Sequence, residues 1–268
     1  MAEALKHGAT YVHDAVTGVV TEDEGTEDKS SVVRGVRTKH NGVIKADKVV
    51  VAMGPWSTKV QDWLAVRIPI TGVYSSSFVY SADQNPDIGE RVRREPRALF
   101  CSEDSFGSHL EVYPRSNGDV YVCGCGGSRY VSEEELRQDV VKPGEETADA
   151  TRISMADKSF KMLAPKIAKG RSPDVIQACM RPCPPDALPL IGKLPACENI
   201  YIAAGHNCWG ILWGPVTGKL MSELILDGGE TSINLQAFDP ARFGGRETVE
   251  AKVKRGRHQG ENSVGEQW

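Results

Sequence analysis

The chain has 268 residues, of which 40% are hydrophobic and 25% are charged, so it can bury the core of one large domain or two smaller ones. Its formal net charge of −4 argues against a broad basic surface, and no apolar run reaches the roughly 18 residues of a membrane span, so neither a nucleic-acid nor a membrane partner is expected. The seven cysteines include no CxxC pair, which predicts reduced thiols, a cytoplasmic protein and no metal site.

The amino-terminal part of the chain predicts a strand followed by a hairpin. Residues 11–20 are predicted as the strand, and residues 32–39 and 43–46 as the hairpin, because Asn41-Gly42 is a strong two-residue turn signal. The acidic stretch at residues 21–31 is predicted to be a solvated loop.

A buried strand and a helix follow. The stretch "DKVVVAMGPWSTKVQDWL" begins with a continuous apolar run, which is typical of a central strand covered by helices. A Gly-Pro break separates this strand from a helix that we expect Ser57 to cap and that ends near Leu64.

Residues 67–177 predict a different kind of unit. Its strands are "VYSSSFVY", "HLEVYP" and "DVYVCG", with a turn at Asn117-Gly118 between the last two, and helices are expected near residues 132–140 and 148–163. A buried strand returns at "ENIYIAAGH" and leads into a further helix. The predicted fold class is therefore α/β with an inserted α+β domain, and the charged, glycine-rich tail is expected to be disordered from about residue 244.

Glycine lies between a buried strand and a helix at two junctions, "VVVAMGPWS" and "YIAAGHNCWGI". Glycine allows a ligand to approach the backbone closely, and the free N–H groups at the start of a helix favour an anion. Each junction is therefore a candidate contact for a cofactor. The alternative is that each glycine only closes a tight turn.

An arginine is held between prolines in the stretch "CMRPCPPDALPLIGKLP". The prolines stiffen the backbone, so Arg181 is expected to be fixed at the end of a strand. Its planar guanidinium suits a substrate carboxylate, to which it can donate two parallel hydrogen bonds. The alternative is an ion pair with a surface acid.

The segments "ADKVVVAMGPWS", "RPCPPDALPLIG", "NIYIAAGHNCWGI", "GPVTGKLMSELI" and "FDPARF", in this order, resemble the D-amino acid oxidase-like family of FAD-dependent oxidoreductases, the group of glycine oxidase and sarcosine oxidase. The resemblance extends to Phe243 and is looser in the middle of the chain. It implies a glutathione reductase-like FAD-binding domain formed by residues 1–65 and 178–228, a mixed-sheet substrate domain at residues 66–177, and a carboxy-terminal extension at residues 229–268.

The resemblance also implies which residues contact FAD. The first junction would lie near the ribose and pyrophosphate, the backbone of Val16 near the adenine, and the second junction at the pyrimidine edge of the flavin. The FAD contacts implied in this way are Val16, Ala52, Gly54, Trp56, Gly205, His206, Cys208, Trp209, Gly210 and Ile211. Cys179 matches a cysteine that binds the flavin covalently in sarcosine oxidase-like members, and the alternative that we favour for it is a small buried thiol. For His206, a structural role is an equal alternative.

Three further residues are implied to contact the substrate. Arg181 falls where glycine oxidase-like members bind the substrate carboxylate. Glu111 and Tyr113 alternate with Val112 and so share one face of a strand that resembles the family's substrate-lining strand, where either could contact an amine or its imine product. For Tyr113 the alternative is plain packing.

The function implied by the resemblance is oxidation of the carbon–nitrogen bond of an amino acid or N-alkyl amino acid by FAD, with oxygen as an electron acceptor. The GxGxxG unit with which family members bind the pyrophosphate is missing, so we expect an incomplete FAD-binding domain, from a truncated protein or a degenerate paralogue, that holds FAD poorly. Two alternatives stay open: a non-catalytic remnant or interaction module that retains the fold, and a dehydrogenase with an acceptor other than oxygen.

Overall fold

The computed structural model describes residues 1–23, 31–143, 147–168, 170–195, 197–229 and 231–244. The chain divides into two compact units. Unit 1 comprises the described residues of segments 1–69 and 186–244, and unit 2 comprises those of segment 70–185. The domain boundary predicted at residue 177 lies inside a strand of unit 2.

The elements are numbered in chain order. The strands are β1 (Val16–Asp23), β2 (Ser31–Thr38), β3 (Val43–Lys45), β4 (Val49–Val51), β5 (Thr71–Tyr80), β6 (Leu99–Phe100), β7 (Glu111–Pro114), β8 (Val120–Cys123), β9 (Arg129–Val131), β10 (Val175–Cys183), β11 (Leu190–Lys193), β12 (Cys197–Glu198) and β13 (Ile200–Ala204). The α-helices are α1 (Ala2–Lys6), α2 (Val60–Trp63), α3 (Pro86–Arg94), α4 (Glu133–Arg137), α5 (Ala150–Leu163), α6 (Pro165–Ala168) and α7 (Gly210–Leu226). Short 3-10 helices span Gly54–Lys59, Ala82–Gln84, Asn207–Trp209, Gln236–Phe238 and Pro240–Phe243.

Unit 1 contains two small sheets. In the first, β1 and β3 pair antiparallel with β2, and β12 pairs parallel with β2. In the second, β13 pairs antiparallel with β11 and parallel with β4. Helix α7 packs on this second sheet, where Met221 joins Ile191 and Tyr201 in a buried apolar cluster. Strand β13 is central and buried, as its apolar run predicts, whereas β4 lies at the edge of this described sheet and Val50 is exposed, so the predicted central position is wrong for β4.

Unit 2 is built on a six-stranded antiparallel sheet in the order β10-β5-β8-β7-β6, with β9 also paired to β5. One face of the sheet packs against α5 through apolar side chains that alternate along the strands, including Phe78, Val112 and Val122. The rings of Phe78 and Phe160 of α5 meet edge to face with their centroids 6.1 Å apart. The side chains of the opposite face therefore point away from this core.

The first strand begins later than predicted. The structure starts β1 at Val16, whereas the sequence pattern suggests a start at Tyr11. The reason lies at Asp14, whose carboxylate accepts hydrogen bonds from the backbone N–H groups of His40 at 2.9 Å and Asn41 at 2.8 Å. Asp14 thus caps the predicted hairpin turn, which is confirmed by the antiparallel pairing of β2 with β3.

The helix after β4 also differs from the prediction. It begins as a 3-10 helix at Gly54, three residues before the expected cap, and continues as α2. Ser57 lies buried inside it, and its hydroxyl accepts a hydrogen bond from the N–H of Met53 at 3.1 Å. The predicted cap at Ser57 is therefore wrong, because this side chain stabilises the turn before the helix instead.

Two other predictions concern loops. The ends of the predicted acidic loop belong to strands, with Thr21 in β1 and Ser31 in β2, so the loop is shorter than expected. Its remaining residues 24–30, and the tail from residue 245 that was expected to be disordered, lie outside the described residues.

Candidate functional site

The two strand–glycine–helix junctions lie side by side in unit 1. Strands β4 and β13 are parallel neighbours, with Val49 opposite Ile200 and Val51 opposite Ile202. Because both strands run in the same direction, the chain leaves them at the same edge of the sheet. In open α/β sheets, ligands bind in the crevice outside the carboxyl ends of such strands. The pairing therefore brings together two segments that are about 150 residues apart in the sequence, as the numbering of the paired strands shows.

The first junction leaves its backbone open. Gly54 has φ of +55°, a left-handed conformation that favours glycine, and a Cβ placed there would meet no heavy atom within 4 Å. Pro55 is buried and anchors the turn, whereas Ala52 is exposed and Trp56 is half-buried. A ligand can thus reach the main chain at Ala52 and Gly54, two of the residues predicted to contact FAD.

The second junction is a tight turn that ends in a long helix. Gly205 has φ of +81° and Asn207 φ of +50°, and a 3-10 helix from Asn207 leads directly into α7. No side-chain hydrogen bond caps the start of α7, so no capping side chain stands between this helix start and an anion. At Gly210, the first residue of α7, an added Cβ would meet only the Cβ of His206 at 3.7 Å.

His206 ties this junction to the body of α7. Its Nε2 lies 3.0 Å from Oγ1 of Thr217, a buried residue about two turns along the helix. Burial lowers the pKa of the His206 imidazole, which favours its neutral form. This contact supports the structural alternative for His206, and a neutral ring in this position adds no positive charge beside a ligand.

The remaining predicted contacts differ in exposure. Trp209 is half-buried and stacks on Trp213, with ring centroids 5.9 Å apart. Cys208 is exposed, and Ile211 is 95% exposed on the outer side of α7. Val16 lies on the other sheet of unit 1, where it opens β1 opposite Thr38. The structure thus groups the two junctions but not Val16.

Arg181 lies on β10 in unit 2, on the sheet face that points away from α5. The Nη2 of its half-buried guanidinium donates a hydrogen bond to Ser75 Oγ at 3.0 Å and lies 3.5 Å from Ser128 Oγ. These hydroxyls help to orient the planar guanidinium on this face of the sheet. Cys179 lies two residues earlier on the same face and is exposed, so the predicted small buried thiol is wrong for this residue.

Glu111 and Tyr113 form a hydrogen-bonded pair on β7. The Tyr113 hydroxyl donates to Glu111 Oε2 at 2.5 Å, and the Cys123 thiol lies 3.8 Å from the same oxygen. Burial, followed by the hydrogen bond to Glu111 and its charge, raises the pKa of Tyr113 well above its usual range, and burial raises the pKa of Cys123 to about 12. Both groups therefore keep their protons at neutral pH, and Glu111 is the acceptor of the cluster.

The structure does not bring this pair into contact with Arg181. Glu111 pairs with Cys123 on β8, and β8 pairs with β5, which in turn pairs with β10. At about 4.8 Å between neighbouring strands, the backbones of β7 and β10 lie roughly 14 Å apart. Arg181, Glu111 and Tyr113 nevertheless share one face of the sheet. Residues that pair across neighbouring strands point to the same side, and in β5, β7, β8 and β10 each odd-numbered residue pairs with another odd-numbered residue, as Arg181 does with Val73.

Sequence reasoning missed the partners of these residues. Ser75 and Ser128 orient Arg181, and Cys123 contacts Glu111, yet none of them is distinctive by type. Successive residues of a strand point to opposite faces, and this period of two in "VYSSSFVY" and "DVYVCG" is the signal that could have grouped Ser75 with Ser77 and Cys123 with Tyr121.

The family model DAO, described as FAD dependent oxidoreductase, matches residues 1–224. The chain belongs to this family. A glycine oxidase of Bacillus subtilis is 29% identical over 192 residues, which are 70% of this chain and 43% of that protein. TDA3 of Saccharomyces cerevisiae, provisionally described as an oxidoreductase, is 33% identical over 199 residues, which are 73% of this chain and 35% of that protein. The DAO-family chain thus spans about a third to a half of the length of these relatives.

Solved structures show the same fold. The DAO-family chain superposes on L-amino acid deaminase from Proteus vulgaris with a TM-score of 0.64 at 19% identity, over 90% of this chain and 60% of that one. It superposes on L-proline dehydrogenase from P. horikoshii with a TM-score of 0.62 at 20% identity, over 90% and 57% of the two chains. The predicted mixed α/β fold with several sheets is therefore confirmed.

In the described ranges, none of the helices combines the length and the apolar character needed to cross a membrane. Among the same residues, no group of three or more histidine, cysteine, aspartate or glutamate side chains is placed to hold a metal ion.

Proposed function

We propose that unit 1 contacts FAD at the shared edge of β4 and β13, and that unit 2 binds the carboxylate of an amino acid or N-alkyl amino acid through Arg181. The observation on which this proposal rests is the parallel pairing of β4 with β13, which places both glycine junctions at one sheet edge. The family match gives the cofactor class, since members are FAD-dependent. When bound, FAD supplies the two-electron acceptor for oxidation of a carbon–nitrogen single bond to an imine.

The residues of unit 1 fit this cofactor. Gly54 and Gly210 leave open space where any side chain would block close approach, and the uncapped start of α7 presents N–H groups to an anionic group. A helix start stabilises an anion by about 0.3–1 kcal/mol, and more where the site is partly buried. The proposed contacts are Ala52, Gly54 and Trp56 at the first junction and Gly205 to Ile211 at the second.

In unit 2, Arg181 would orient the substrate by its carboxylate. The hydrogen bond to Ser75 fixes one edge of the guanidinium, so the carboxylate meets a preorganised donor. Glu111 and Tyr113 would line the same face and contact the substrate farther from Arg181. Because Tyr113 and Cys123 stay protonated, the hydrogen bonds that they offer to Glu111 do not depend on pH in the neutral range.

The cofactor part of the proposal can be tested by titrating FAD into the protein and following flavin fluorescence. Wild type is expected to bind FAD weakly, because the GxGxxG unit is missing, and Gly210→Ala is expected to weaken binding by at least about a further tenfold, because the new methyl group blocks close approach to the helix start. Gly218→Ala is the matched control, since an added Cβ there also meets nothing within 4 Å but lies about two turns farther along α7. Absence of FAD binding by wild type would favour a chain that retains the fold without the cofactor.

The substrate part can be tested by turnover of the flavin-loaded protein with glycine and other amino acids. Amine oxidation with oxygen as the acceptor predicts hydrogen peroxide and an oxo acid in equal amounts. Oxo acid without peroxide, formed only with an added electron acceptor, would indicate a dehydrogenase instead.

A further inference from the structure

A half-buried arginine near the start of α5 makes no polar contact through its side chain. Within the part of the chain that the structure describes, the guanidinium of Arg152 takes part in no hydrogen bond and no ion pair. Only its backbone N–H is engaged, because the Asp149 side chain accepts from it at 2.9 Å. A guanidinium carries several N–H donors and a full positive charge. These donors are therefore free for water or for a ligand.

Three glycines make room for this guanidinium. A Cβ added at Gly127 would lie 3.2 Å from Nη2 and 3.6 Å from Cζ of Arg152, and one added at Gly126 would lie 3.0 Å from Nη1. Nη1 also lies 3.9 Å from the position of a Cβ on Gly107. The planar group thus lies against bare backbone, which limits its movement without occupying its donors. A charged fork that is held in place before binding loses little freedom when an anion arrives.

The backbone beside the guanidinium offers further donors. Gly126 and Gly127 lie between β8 and β9, and Gly127 is exposed. Among the described residues, the N–H of neither glycine donates to a backbone carbonyl. Successive N–H groups in a turn with a left-handed residue can form a concave anion site, and φ is +85° at Gly126. Side-chain and main-chain donors therefore lie together at one place on the surface of unit 2.

The carboxylates around this place do not neutralise the guanidinium. Asp104 and Asp149 use their carboxylates to accept backbone N–H groups of the chain. Glu103 is exposed, and its Oε1 lies 3.9 Å from the same Cβ position on Gly107, yet in the described ranges no ion pair joins it to Arg152. Glu103 therefore weakens the attraction of Arg152 for an anion without cancelling it.

We propose that Arg152 and the backbone of Gly126 and Gly127 form a binding site for an oxyanion, the phosphate or the carboxylate group of a small ligand. Both groups present pairs of oxygen atoms to which a guanidinium can donate two parallel hydrogen bonds. Because Gly127 is exposed, the rest of the ligand can extend into solvent. The site uses neither the FAD contacts of unit 1 nor Arg181, so it goes beyond the proposed function.

Isothermal titration calorimetry of the purified protein tests the site. Inorganic phosphate and acetate are titrated separately, with sodium chloride at equal ionic strength as the reference. Saturable binding of one or both anions is expected, and the anion that binds more tightly assigns the site to phosphate or to carboxylate. Arg152→Gln is expected to weaken binding of that anion at least about tenfold, because the charge-assisted hydrogen bonds are lost.

Three further variants separate the geometry of the site from its charge. Gly127→Ala keeps the charge, but its methyl group would displace the guanidinium, so affinity is expected to fall at least about threefold. Glu103→Gln should increase the affinity, because it removes a nearby negative charge. Arg91→Gln is the matched control, since it removes an exposed arginine of α3 elsewhere in unit 2 and should change the affinity less than about twofold.

Melting temperatures of all variants without added anion show whether each is folded. Absence of saturable binding by wild type would overturn the proposal. So would an affinity that is unchanged in both Arg152→Gln and Gly127→Ala. An equal loss of affinity in Arg91→Gln would also overturn it, because the effect would then come from net charge and not from a site. None of these results depends on FAD or on Arg181, so each leaves the proposed function intact.

Discussion

Replacing Arg181 by alanine is expected to lower kcat/KM of the flavin-loaded protein by about thirty-fold to several thousand-fold. Under the proposed function, the half-buried guanidinium binds the substrate carboxylate and is oriented by its hydrogen bond to the Ser75 hydroxyl. Removing one member of such a partly desolvated pair typically costs roughly 2–5 kcal/mol. At about 1.4 kcal/mol per factor of ten, this range gives the stated loss of rate.

Lysine at this position is expected to recover only part of the activity. An ammonium keeps the charge but cannot donate two parallel hydrogen bonds, and it cannot contact Ser75 with the same planar geometry. The assay is steady-state kinetics with the best amino-acid substrate for wild type, Arg181→Lys and Arg181→Ala, with melting temperatures measured on the same preparations.

Arg129 provides the matched control for this experiment. It lies in β9, which pairs with β5, its side chain is 60% exposed, and it forms an ion pair with Glu135 at 3.4 Å. Exposed ion pairs contribute about 0–1 kcal/mol, so Arg129→Ala should change kcat/KM less than about threefold. A loss below about fivefold in Arg181→Ala, with an unchanged melting temperature, would show that Arg181 does not bind the substrate carboxylate.

Three further predictions concern stability. Tyr80→Phe should lower the free energy of unfolding by about 1–2 kcal/mol, measured by urea denaturation, because the buried Tyr80 hydroxyl donates to Asp157 at 2.6 Å. Burial lowers the pKa of His206, so the unfolded chain binds a proton at this residue more readily than the folded protein does. The free energy of unfolding should therefore fall as the pH decreases below about 6.5. His206→Gln should remove this part of the pH dependence of the melting temperature. Burial raises the pKa of the Asp14 carboxyl, but its hydrogen bonds from His40 and Asn41 have the larger effect, so the pKa is lowered overall. The stabilisation of the folded state by Asp14 is therefore present above about pH 4 and is lost in more acidic solution. Asp14→Asn should reduce the loss of stability between about pH 4 and lower pH, measured by urea denaturation.

The sequence predicts the local elements of this fold well where one short segment contains all the information. The Asn41-Gly42 turn lies between β2 and β3, and the apolar runs of β4 and β13 are both strands, which pair parallel with each other. A two-residue turn signal and a continuous apolar run each depend only on neighbours in the chain. The strand–glycine–helix junctions could be recognised for the same reason.

The predictions that failed depend on contacts between distant segments. Val16 replaces Tyr11 as the start of β1 because Asp14 is used to cap a turn 26 residues away. Ser57 has the residue type of a helix cap, but its hydroxyl is buried and accepts from Met53 upstream. In both cases a polar side chain has several backbone groups within reach, and tertiary contacts decide which one it binds.

The arrangement of the proposed substrate face depends on strand order, which local patterns do not specify. Along the chain β7 and β8 lie between β5 and β10, yet in the sheet β10 pairs with β5 on the side opposite to β8. The observed order places two strands, β8 and β5, between Arg181 and Glu111. Alternation along a strand predicts which residues share a face, but it does not specify which strands are neighbours. The separation of these two residues therefore depends on pairing between distant segments and could not be predicted from the sequence.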